Sequence, residues 1–145
     1  MPASGPAAAP SPPLDQMLAT EPPAVADLVR RLRAVLLDAH PDLRERVNLG
    51  WHGIGFHHPR GGYVVGLFPR HGGVNVGFEY GADLPDPHGR LLGEHRRRTR
   101  DVRVEVGAGP DEEDVVVDYL DLAVDLAVDR AAGKAASQRA ASRDI

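Results

Sequence analysis

The chain has 145 residues, 42% of them hydrophobic, with a formal net charge of -4, which gives room for one domain with a small core. So mild a charge excludes a dedicated polyanion binder, and any charged partner must be met by a local patch. The absence of cysteine excludes disulfides, thiolate metal sites and thiol nucleophiles.

Seven of the 13 prolines fall in residues 1–23, mixed with Ala and Ser, a composition that favours extended, solvated chain. Residues 1–20 are therefore expected to be a disordered arm. They lack the basic start and apolar run of a secretory signal, and nowhere does the chain hold 18 apolar residues in succession. A soluble cytoplasmic protein with no membrane contact is the expectation.

Val25, Leu28, Val29, Leu32, Val35, Leu36 and Ala39 recur on one helical stripe, with Asp27, Arg30, Arg31 and Asp38 off it. Pro22 and Pro23 suit the first turn, and Pro41 stops the helix near His40. From about Val47 the period changes. Val64 to Phe68 and Val74 to Tyr80 are short β-branched and aromatic runs separated by PRHGG, which reads as a hairpin. Val74, Val76 and Phe78 share one parity, and Val102 and Val104 alternate with Arg103 and Glu105. That is the pattern of an antiparallel sheet with one apolar face.

A second helix is predicted over 111–132, with acids in its first turn and Gly133 as its stop. The predicted fold is α+β: a two-layer sandwich in which an antiparallel sheet of four or more strands carries the N- and C-terminal helices on one face. The domain spans 21–132, and 133–145 is a flexible tail.

The only serines, Ser4, Ser11, Ser137 and Ser142, and the only lysine, Lys134, all lie in the expected tails. A serine nucleophile, a Schiff-base lysine and a P-loop lysine are thus missing from the domain, which argues against an enzyme. Seven histidines invite a metal reading, yet His57 and His58 are adjacent and on a strand would face opposite ways.

Three constellations remain. Asp114, Asp118, Asp121, Asp125 and Asp129 lie within about 80° of arc on the second helix, and Asp118, Asp121, Asp125 and Asp129 form the candidate site for iron or another hard cation. The same residues also suit the wet side of a helix whose other face carries Val116, Tyr119, Leu120, Ala123 and Ala127. Second, Arg90, His95, Arg96, Arg97, Arg98, Arg100 and Arg103 form a basic run that suits an anion, with Arg97 and Arg100 as candidate ligand contacts. No interleaved aromatic platform accompanies it, which speaks against nucleic acid. Third, Gly50, Gly53, Gly55, Gly66 and Gly77 mark bulges or close approach of another group. With Trp51, Tyr63 and Glu79 they offer a surface for a small molecule or a protein partner, although the size of Trp51 suits the core better.

The segments VNLGWHGIGFHHPRGGYVVGLFP and VNVGFEYGADLPDPHGRLLGEHRRRTRDVRV resemble the YdhG-like family of small bacterial domains, over roughly residues 25–130. The resemblance implies a frataxin-like fold, with Leu84, Leu91 and Leu92 pinning a corner beneath the sheet. One branch of that family is described as an intracellular iron chaperone, so the resemblance implies iron as cargo. Two expectations follow: weak cation binding at the aspartate ridge, or a binding module that uses the open sheet face and the arginine run.

Overall fold

The alternation of apolar and polar residues sets the sheet. A computed structural model of the chain describes residues 9–143. These form five antiparallel strands and three α-helices: α1 (Pro12–Leu18), α2 (Pro23–Ala39), β1 (Arg44–Asn48), β2 (Gly53–His58), β3 (Gly62–Arg70), β4 (Gly73–Phe78), β5 (Arg100–Glu105) and α3 (Pro110–Arg143). The strands pair in chain order, so the sheet is a simple meander. Ile54, Phe56, Val65, Leu67, Val74, Val76, Phe78, Val102 and Val104 share one face and are all buried. They meet Leu28, Val29, Leu32 and Leu36 of α2 and Val116, Tyr119, Leu120 and Ala127 of α3 in one core. The fold is the expected two-layer α+β sandwich.

The first helical turn corrects the expectation of a disordered arm over its described part. Ser11 caps α1 by accepting from the Leu14 amide at 3.4 Å, Pro12 sits at its start, and Leu14, Met17 and Leu18 are buried in the core. Three apolar side chains on one short helix outweigh the proline content around them. Residues 1–8 of the expected arm lie outside the described residues.

Arg33 sits on the buried side of α2. It donates to Glu45 of β1 through Nε at 2.8 Å and Nη2 at 2.5 Å, and to the Ala9 carbonyl at 2.7 Å. A bidentate pair of this kind holds the edge strand and the N-terminal segment to α2.

α3 does not stop at Gly133 but continues to Arg143. One glycine costs a helix only about 1 kcal/mol relative to alanine, and the Ala-rich sequence beyond it carries the helix onward. No residue after Ala127 in this helix is buried.

The 79–99 connection is held by Tyr119. Its hydroxyl is buried in the core layer, donates to Asp86 and accepts from the amides of His88 and Arg90, both at 3.2 Å. Burial, then the Asp86 hydrogen bond, pushes the phenol above its ordinary pKa, and the same bond holds the Asp86 carboxyl below its own. Arg90 adds a bidentate pair to Glu112 at 2.9 and 2.7 Å and a bond to the Arg103 carbonyl at 3.0 Å. Leu84 and Leu91 pack against the core, as the resemblance implies. Leu92 does not: it is half exposed and takes part only through its backbone, which pairs with Asp101.

Candidate functional site

Across the outer face, the strand register places Gly55, Gly66 and Gly77 side by side on β2, β3 and β4, with Asp101 of β5 next in the row. Three adjacent strands without side chains leave a trough, and two aromatic rings lie in it. A β-carbon on Gly55 would stand 2.8 Å from the Tyr63 ring. One on Gly66 would stand 2.5 Å from the Tyr63 hydroxyl and 2.8 Å from the Phe68 ring. The glycines are there because the rings lie flat on the backbone.

Tyr63 reaches this face through a bulge. Phe56 pairs with Val65, but the next pair is His57 with Tyr63, so Val64 is an extra residue. Without it Tyr63 would share the inward parity of Val65 and Leu67. The bulge turns it outward, edge-on to His57 with ring centroids 5.2 Å apart. His58, on the opposite face from His57, is buried and accepts from the Arg60 amide at 3.1 Å.

Above these rings lies an open cavity of about 580 Å³. Tyr63 and Phe68 make its floor, and Trp51, 73% exposed in the β1–β2 turn, makes its lip at one end. The other end is walled by the segment preceding β5, where Arg96 pairs with Asp101 at 3.1 Å and Arg98 pairs with Glu79 at 2.9 Å. Arg98 also lies over the Tyr80 ring, 5.3 Å from its centroid. Burial, with Glu79 and then Asp101 nearby, pushes the Tyr63 phenol up to about 12. At neutral pH its hydroxyl is therefore an uncharged hydrogen-bonding group at the floor.

The structure brings Trp51 and Glu79 of the predicted ligand contacts into this cavity and excludes Arg100 and Arg97 from it. Arg100 has the inward parity of Val102. Its guanidinium donates to the carbonyls of Arg96 and Thr99, both at 2.7 Å, and so braces its own segment. Arg97 is exposed and lines a separate, open hollow formed by residues 96–99. Arg96 and Arg98 take their places, because residues 94–98 form a turn and bend ahead of β5 and do not follow strand alternation. Phe68, Arg70, Asn75 and Asp101 were not among the predicted residues. The parity of Phe68 with Gly66, opposite to that of Leu67, was the available signal.

The aspartates of α3 do not converge. Asp118 engages His88 at 2.8 Å and Asp121 engages His40 at 2.6 Å, in two separate connections, while Asp125 and Asp129 are exposed along the helix. Among the described residues, no three histidine, cysteine or carboxylate side chains are placed to hold one metal ion. The face opposite them, Val116, Tyr119, Leu120, Ala123 and Ala127, is buried as the amphipathic pattern predicts. Among the described residues no helix is long and apolar enough to cross a membrane.

Fold and site together define an α+β sandwich with a ligand-sized cavity on the uncovered face of its sheet. No protein-family model, curated protein or solved structure matches the chain.

Proposed function

We propose that this chain is a non-enzymatic binding module that takes a small planar molecule on the outer face of its sheet. The observation that carries this reading is the aromatic floor laid over the Gly55, Gly66 and Gly77 row. Strand glycines weaken a sheet, so three in register are a cost that a purely structural face does not need. What they provide is a flat surface of aromatic carbon, on which a ligand ring can stack. The cavity volume falls in the range of sites for small ligands, roughly 300–1,000 Å³. Around it stand a few fixed polar groups, Asn75, Glu79, Asp101 and three arginines, which can orient a ligand. The YdhG-like resemblance is a further proposal, carried by the two sequence segments alone.

Trp51 is the only tryptophan in the chain and stands at the lip, so its fluorescence reports on the cavity. The test is a screen of small aromatic compounds against the wild type and Gly66→Val, whose added side chain displaces the floor rings. Compounds that change Trp51 emission in the wild type, and not in the variant, support the reading. A screen with no such compound, or with equal responses from both proteins, refutes it.

A further inference from the structure

The charges that line the cavity are unequal, and the excess sits at one end. Three guanidinium groups face two carboxylates. Arg96 and Arg98 are matched, to Asp101 and Glu79, and both matched pairs stand at the end formed by the segment before β5. Arg70, at the Trp51 end, makes no ion pair among the described residues. It donates only to neutral carbonyls, that of Pro69 at 2.7 Å and that of Trp51 at 3.5 Å. A guanidinium has five N–H donors in a planar fork suited to a carboxylate, and these two bonds leave most of that capacity open. Its central carbon lies over the Phe68 ring, 5.6 Å from the centroid, so the unmatched cation stands at the Phe68 end of the aromatic floor.

Resting on the pocket reading above, we propose that the ligand is a planar aromatic acid in its ionised form. Its ring lies along Tyr63 and Phe68, and its carboxylate meets Arg70. One negative charge brings the cavity to balance, whereas a cationic ligand would meet Arg70 as a like charge and find both carboxylates already engaged. Tyr63 adds no opposing charge, since its phenol stays protonated far above neutral pH. The floor between Asn75 and Glu79 spans roughly 14 Å along the strand, enough for a two-ring body with its acid at one end.

The experiment compares two probes of nearly equal shape, 2-naphthoate and 2-naphthamide, by calorimetric titration of the full chain and of Arg70→Gln. A charge-assisted contact of this type exceeds its neutral counterpart by about tenfold or more in affinity. The expected result is tighter binding of the acid than of the amide by the wild type, an advantage abolished in Arg70→Gln and partly restored in Arg70→Lys. Equal affinities of the wild type for the two probes overturn the assignment of an acid and leave the pocket standing. Binding of neither overturns both. An advantage of the acid that persists in Arg70→Gln overturns the role of Arg70. The wild-type comparison decides the matter even if a variant fails to fold.

Discussion

The two faces of the same sheet are built by opposite rules. The inner face is mainly Val, Leu, Ile and Phe, buried under the helices, whereas the outer face alternates bare glycine with rings and ion pairs that remain partly wet. Because strand side chains alternate, one stretch such as Val76-Gly77-Phe78 serves both faces at once. The inner face determines whether the chain folds, and the outer face determines what it meets. Substitutions on the two faces should therefore separate stability from binding.

The largest effect belongs to the inner face. Phe56→Ala removes a fully buried ring and should destabilise the fold by about 3–5 kcal/mol, read as a lower urea midpoint. Next comes the Arg33–Glu45 pair, in which the arginine side chain is only 8% exposed. Arg33→Ala leaves the Glu45 carboxylate without its partner and should cost about 3 kcal/mol, while the double change Arg33→Met with Glu45→Leu should cost far less. Equal losses in the single and double variants would show that packing, not the pair, holds β1 to α2.

Alkaline titration tests an outer-face residue by a different route. A phenol whose folded pKa is raised stabilises the protein fully below its ordinary value near 10, and that contribution is lost as pH rises from 10 toward 12. The Tyr63 ring is partly exposed, so the loss should be at most about 2 kcal/mol. Comparison of wild type and Tyr63→Phe by denaturation across that window measures it: the wild type should lose more stability than the variant. Parallel curves would place the cause elsewhere.

The smallest stability effect goes with the largest expected effect on binding. In Gly66→Val the new side chain meets only the far ends of Tyr63 and Phe68, which can swing into solvent, so the urea midpoint should move by about 1 kcal/mol or less. Ligand-dependent Trp51 fluorescence should nevertheless be lost.

What could be read from the sequence divides along the same line. Helical spacing in α2 and α3 and the alternation of Val74, Val76, Phe78, Val102 and Val104 revealed the inner face, because burial imposes a period. Short elements and turns hid themselves. Leu14, Met17 and Leu18 give α1 too few turns to show periodicity among prolines, and a single glycine did not end α3. The outer face was legible only in part. Trp51 and Glu79, both singled out in the sequence, line the cavity, and Gly66 and Gly77 carried the sign of close approach. The bulge at Val64, which turns Tyr63 outward, leaves no mark in a parity count. Nor does spacing alone tell Arg96 and Arg98, which enter the cavity, from Arg97 and Arg100, which do not.

The most direct test of the outer face as a binding surface is to map 2-naphthoate on the amide spectrum of the full chain. Shifts are expected at Trp51, Gly66, Gly77 and Glu79, with the amides of α2 and α3 unmoved. Shifts confined to the helices, or none at saturating probe, would contradict a binding role for this face.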